Sequence, residues 1–401
     1  MKRRMLRYAQ DDRPLLRRLS KIGDEPLMDE RKRFREALLF GKPDRIPFSP
    51  GGGREKTRKR WREEGLPEGK NPVAALKEII GFPKEPGGPR TSPKVSFKMI
   101  PTFEEKVLEH KDGHYIVRDW MGAITEISDE YDYTYIRSAK DFVTRKWHKF
   151  PVESREDWED MKWRYNPEDP ERFPEDFEAR CKALRDRNYV VSIHFNGPFW
   201  QLREWLGMEG LCVMMADQPD LVAEMCEFWG DFVSRTMAPV LDKVELDVVG
   251  ISEDMAYKAH SMISPAMARR FLKPSYERWC SEIKASGCPL VDMDSDGYIG
   301  ELIPIWIESG INVCDPIEVA AHNDINAFRS QFGRKMAFRQ GVDKRCMARG
   351  GQALAHEFER VAPVCRDGGY IPGCDHGIPF DVSWENYIDY GRRLAQLTGW
   401  L

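Results

Sequence analysis

The sequence predicts an α/β chain folded as a single (β/α)8 TIM barrel, with an N-terminal helical extension over residues 1–29 and a β-hairpin insertion over about residues 95–137. Two observations predict it. From residue 188 onward, short apolar runs alternate with amphipathic helical stretches, a rhythm that builds a parallel sheet wrapped by helices. Polar residues also recur where each apolar run stops, as expected when strand ends converge on one face of a barrel. With 401 residues, 41% of them hydrophobic, the chain carries enough apolar mass for a large core, and a barrel absorbs that length as one domain over residues 30–401.

The opening MKRRMLRYAQDDRPLLRRLSK is basic but has no apolar centre, so it does not read as a secretory signal. Asp11, Asp12, Asp24 and Glu25 argue against a transit peptide, leaving a helix packed on the barrel. Residues 30–41 form an amphipathic helix. KPDRIPFSPGGG then reads as a turn, a strand at Arg45–Ser49 and a Gly-rich loop, followed by a charged helix ending near Gly65. The loop lacks the Gly-Lys-Ser/Thr ending of a phosphate-binding loop. Residues 95–137 alternate as strands around an Asp112-Gly113 turn. Residues 150–187 are helical, with Ser154 placed as an N-cap. Six barrel strands follow, in VVSIHFNG, DVVGISED, CPLVDMDSDG, INVCDP, KMAFRQGVD and GGYIPGCDHG. With Arg45–Ser49 they make seven. The eighth must lie between residues 70 and 140, at a position the pattern does not fix.

A net charge of −4 gives no reason to expect nucleic acid, and no run of about 18 apolar residues offers a membrane span. Nine cysteines, an odd number without C-x-x-C pairs, read as reduced thiols of a cytoplasmic protein.

The chemistry is expected at the strand ends: His194 and Asn196, Glu253 and Asp254, Asp294 and Asp296, Asp315, Gln340 and Asp343, and Cys374, Asp375 and His376. Asp294 and Asp296 stand two apart, so on an extended strand both project to one side. Two such carboxylates repel unless a cation or shared proton lies between them, which makes a divalent metal plausible. The competing reading is that Asp296-Gly297 only turns the chain into the next helix. His376 is a candidate ligand or general acid/base, with Cys374 a softer ligand beside it. Phe199, Trp200 and Trp205 follow the Asn196-Gly197-Pro198 turn and could floor a substrate pocket or pack the core. Gly52 and Gly53 place bare backbone at the mouth.

The stretches KPDRIPF, NGPFWQLREWLGMEGLCVMMADQPDLV, ISEDMAY, DSDGYIGELIPIWIESGINVCDPIE, FGRKMAFRQGVD and GGYIPGCDHGIPFDVSWEN together resemble the uroporphyrinogen decarboxylase superfamily. The resemblance covers most of residues 30–400 and implies a barrel, and a homodimer. The superfamily holds true decarboxylases and cobalamin-linked methyltransferases. In the former, arginines follow the first strand and a Tyr follows the Gly-Pro turn. Here Ser49-Pro50-Gly51-Gly52-Gly53 and Trp205 stand there, while His376-Gly377 matches the C-terminal His-Gly element. In the methyltransferases zinc is held by His-x-Cys and a later Cys. Those places align with Asp294-Ser295-Asp296 and with His376 or Cys374.

The resemblance therefore implies a methyltransferase component. A divalent metal, zinc foremost, at Asp294, Asp296, His376 and Cys374 would activate a substrate heteroatom. Glu253, Asp254 or His376 would handle the proton. His194, Asn196, Trp200, Trp205, Gly52 and Gly53 would hold a small methyl donor or acceptor. The methyl group would pass to or from a cobalamin on a partner corrinoid protein in trans. The alternatives are a cobalt-independent lyase or decarboxylase of a small carboxylic acid, and a non-catalytic barrel that binds a metabolite or a corrinoid protein.

Overall fold

The computed structural model describes residues 28–84, 88–133 and 144–401. The helical extension expected over residues 1–29 lies, but for its last two residues, outside them. Among the described residues two sheets form. Four antiparallel strands run in the order β1 (Lys106–Lys111), β2 (His114–Arg118), β3 (Ile124–Ser128) and β4 (Lys146–Lys149). Six parallel strands form the barrel wall, from β5 to β10 in sequence order: Ser192–Asn196, Val248–Ser252, Leu290–Asp294, Val313–Asp315, Ala337–Arg339 and Tyr370–Ile371. All six fall inside the apolar runs that the sequence marks out.

The insertion is larger than the expected hairpin. Asp112-Gly113 does turn β1 into β2, pairing Lys111 with His114. β3 and β4 extend that pair to a four-stranded meander reaching Lys149, and residues 97–99 stay outside it.

The two remaining staves are irregular. Arg45–Ser49 forms no ladder. Pro47 and Pro50 have no N–H to give to one. Contact with the far edge is instead an isolated parallel bridge from Gly53 to Ile378. The unplaced stave is at Thr91, which bridges Val191: Thr91 N donates to the Val190 carbonyl and Ser192 N to the Thr91 carbonyl. One residue of pairing leaves no alternation to read.

Inside the barrel the side chains stack in layers. The lowest holds Val190, Val248, Leu290, Val313, Ala337 and Ile371, and the helix Glu30–Leu38 plugs it with Phe34, Ala37 and Leu38. Asp29 caps that helix by accepting from Lys32 N. Arg31 and Arg187 fix its seat by pairing with the fully buried Asp247 at 2.7 and 2.9 Å. The next layer is ionic: the Arg339 guanidinium pairs with Asp292 and lies 3.3 Å from Asp315. Burial pushes Asp315 far above the usual carboxylate range, against the pull of Arg339. Above it lies the mouth. Ser154 accepts from Asp157 N, so that helix begins at the expected cap. All nine cysteines are unpaired, and among the described residues no helix is long and apolar enough to cross a membrane.

Candidate active site at the barrel mouth

A cavity of about 360 Å³ opens at the carboxyl ends of the strands. Asp254, Asp294, Asp296, Cys374, His376 and Trp200 line it, with Gly51 and Gly52 on one side. These groups come from five segments spread over more than 300 residues of sequence, which meet at the ends of β5, β6 and β7, the segment after β10 and the Gly-rich loop.

Asp294 ends β7. Its Oδ2 accepts from Ser252 Oγ at 2.7 Å, and that hydroxyl lies 2.7 Å from His194 Nε2. Burial pushes Asp294 up to about 6; the Ser252 hydrogen bond opposes this, and the charges of Asp254, Asp296 and Asp292 add to it. His194 fits because residue 250 is glycine: a Cβ there would stand 2.4 Å from its Nδ1. Burial holds His194 below its ordinary value, against the pull of Asp292.

Asp254 follows β6 in a left-handed conformation, φ 43°, that swings its carboxylate into the mouth. Its Oδ1 accepts from Asp296 N at 3.1 Å, and burial and then Asp296 raise its proton affinity. His376 Nε2 lies 3.1 Å from Asp296 Oδ2, and that hydrogen bond holds the imidazole above its ordinary value. The mouth therefore contains acids that keep a proton unusually well and an imidazole inclined to carry one.

The loops bearing Asp296 and His376 are tied together from behind. Glu318 accepts from Gly297 N at 3.2 Å and from Lys344 Nζ at 2.9 Å. Asp375, fully buried and pushed up to about 6 by that burial, accepts from Lys344 N and Val319 N. These bonds fix the positions of both loops at the mouth.

Glu253 does not reach the mouth. It is fully buried, accepts from Trp200 N at 2.8 Å and from the Tyr276 hydroxyl, and burial raises it to about 7. Gly197 is what admits it, since a Cβ there would lie 2.2 Å from the Glu253 carboxyl carbon. Glu253 thus fixes the start of the helix Pro198–Asp217 and with it the Trp200 ring.

The expected substrate residues divide. Gly52 lines the mouth, whereas Gly53 makes the bridge to Ile378 and backs onto Thr57 and Trp61. His194, Asn196 and Trp205 line a second cavity of about 690 Å³ that shares only the Trp200 wall with the mouth. Trp205 is 1% exposed and donates to Tyr165 Oη, so it supports that cavity's floor. Glu204 was not read from the sequence. It faces the same cavity, accepts from Trp200 Nε1 at 2.8 Å and is raised by burial. Ser252, Asp292 and Arg339 were also missed, although each is a polar residue at an inward strand position, the signal that marks Asp294.

The residues present do not fit the metal that the acids imply. Among the described residues no three His, Cys, Asp or Glu side chains are grouped to hold an ion. Asp296 is turned to His376, Asp294 to Ser252, and burial pushes the Cys374 thiol up to about 12, away from the thiolate a metal would need.

The profile of the uroporphyrinogen decarboxylase (URO-D) family matches residues 146–389, from β4 to the closing helix. The chain belongs to that family. No curated protein matches the sequence. A methyltransferase from Methanosarcina mazei is similar in structure at 14% identity, with a TM-score of 0.52 over 92% of this chain and 99% of that one. That likeness is one of fold, and it places this family member among TIM barrels. A B12-independent methionine synthase from Shewanella sp. W3-18-1, in complex with selenomethionine, overlaps 56% of this chain and 65% of its own at 13% identity and a TM-score of 0.38.

Proposed function

We propose that this family member is a methyltransferase component that moves a methyl group between a small substrate heteroatom and a cobalamin carried by a partner protein. The observation that carries the reading is the mouth: Asp254, Asp294, Asp296 and His376 converge on a cavity of about 360 Å³, and three of the four have raised proton affinity. That volume suits a small molecule. A corrin ring is larger, so the corrinoid would present the methyl group from outside, on its own carrier.

The cobalamin supplies the methyl-transfer chemistry; the chain handles the proton. An ether oxygen or amine nitrogen that gives up its methyl group needs a proton, and His376, whose proton affinity Asp296 raises, can give one. In the reverse direction the neutral imidazole, or an ionised Asp294, takes the proton from an alcohol or thiol. Glu253 sets the Trp200 wall without touching substrate. No step requires a bound metal.

The test is a stopped assay with free methylcobalamin and a panel of thiols and phenols, followed by the corrin absorbance. Transfer with at least one acceptor, cut by 10²–10⁴-fold in H376Q, is expected. No transfer with any acceptor in either direction would sink the reading.

A further inference from the structure

We propose that the gap in the barrel wall between Pro47–Ser49 and Gly88–Arg90 is a second binding site, for a compact organic anion bearing a phosphate or carboxylate group. The inference goes beyond the reaction at the mouth and does not depend on it. The gap exists because the first stave makes no ladder, and a cavity of about 600 Å³ fills it.

The charge of this cavity is opposite to that of the mouth. Among the described residues Lys77, Lys84, Arg90 and Arg339 line it, against Glu30 as the one acid. Arg339 is already met by Asp292 and Asp315. Arg90 is not: its Nε donates to Ser192 Oγ at 3.0 Å, its guanidinium packs over the Phe34 ring at 5.6 Å, and no carboxylate lies within 4 Å among the described residues. The side chain is exposed at the cavity's edge, and partial desolvation and the neighbouring Arg339 disfavour its charge, against the pull of Asp292, Asp315 and Asp247. A ligand anion would offset both. A guanidinium offers a fork that fits the two oxygens of a carboxylate or phosphate.

The wall beside these cations is apolar. The Phe48 and Phe82 rings pack with centroids 4.5 Å apart, and Lys77 Nζ lies 4.7 Å from the Phe82 ring centre. An anionic head at Arg90 would therefore carry its apolar or planar body against these rings. Ser49 lines both this cavity and the mouth, so the occupant would sit next to the loop that bears Gly51 and Gly52.

Isothermal titration of the full chain with inorganic phosphate and, separately, with benzoate tests the site and tells phosphoryl from carboxylate ligands. Saturable binding of one equivalent of at least one probe is expected, weakened tenfold or more in R90Q and by less in R90K, which keeps the charge and loses the fork. K84Q, on the exposed rim, gives the same reading should R90Q fail to fold. D296N, which the mouth chemistry needs, should bind as the native chain does, so a failed transfer reaction leaves this result standing. No saturable binding of either probe, or equal affinity in R90Q and the native chain, overturns the proposal.

Discussion

Gly197→Ala adds one methyl group at the start of the helix Pro198–Asp217, and the structure sets its consequence. The new Cβ would lie 2.2 Å from the carboxyl carbon and Oε1 of Glu253 and 2.7 Å from its Cγ. Carbon atoms in contact sit about 3.5–4.0 Å apart, so the carboxylate must retreat by more than about 1 Å. It has nowhere to go: the side chain is fully buried and held by Trp200 N and the Tyr276 hydroxyl. Overpacking costs about 1–3 kcal/mol. Dislodging a hydrogen bond to a charged group adds about 1.5–3 kcal/mol. The expected loss is about 3–5 kcal/mol by urea unfolding at pH 7. Gly52→Ala is the control, since nothing stands within 4 Å of its added Cβ, and it should stay within about 0.5 kcal/mol. The double variant G197A/E253A separates clash from other causes, because removing the carboxylate should relieve the methyl group. Additive losses in that cycle, or a near-neutral G197A, would refute the contact argument.

Three further outcomes are expected. His376 has raised proton affinity, so its charged form persists above its ordinary value of 6.5; if it is the acid, the rate falls as pH rises through its folded pKa, and D296N, which removes the partner, moves that falling limb to lower pH. A limb that stays put in D296N would remove His376 from the role. Asp247→Ala strands the buried Arg187 under the helical plug and leaves Arg31 with Glu245 alone, and should cost about 3–5 kcal/mol in urea unfolding, while a loss below about 1 kcal/mol would mean that the plug is held otherwise. Zinc titrated into the chelator-treated chain should show no stoichiometric tight site, and one equivalent bound by the native chain but not by D294A would restore the metal reading.

The parallel strands were legible because each is an apolar run of strand length between polar punctuation, and Ser154 was legible as a cap because its partner lies three residues on. The Asp294–Asp296 and His376 cluster was legible from position, since strand ends of a barrel must converge. Other features resisted for physical reasons. The stave at Thr91 is a single bridge, too short to impose a period of two. Arg45–Ser49 reads as a strand by its apolar content, yet Pro47 within it and Pro50 after it deny it a ladder. Asp294 and Asp296 share a face in an ideal strand, but β7 stops at Asp294 and the chain turns, so the two carboxylates take different partners.

The sequence by itself determined the fold class, the family and the loops on which the polar groups stand, because hydrophobic period and strand punctuation are local properties of the chain. Only the tertiary structure decided what those groups do to one another. Glu253 and Asp254 are neighbours in sequence, yet a left-handed turn sends one into the mouth and leaves the other sealed behind Gly197. The proton affinities of Asp294 and His376 come from burial and from partners 42 and 80 residues away. Electrostatic coupling and desolvation act through space, and no reading of spacing along the chain contains them.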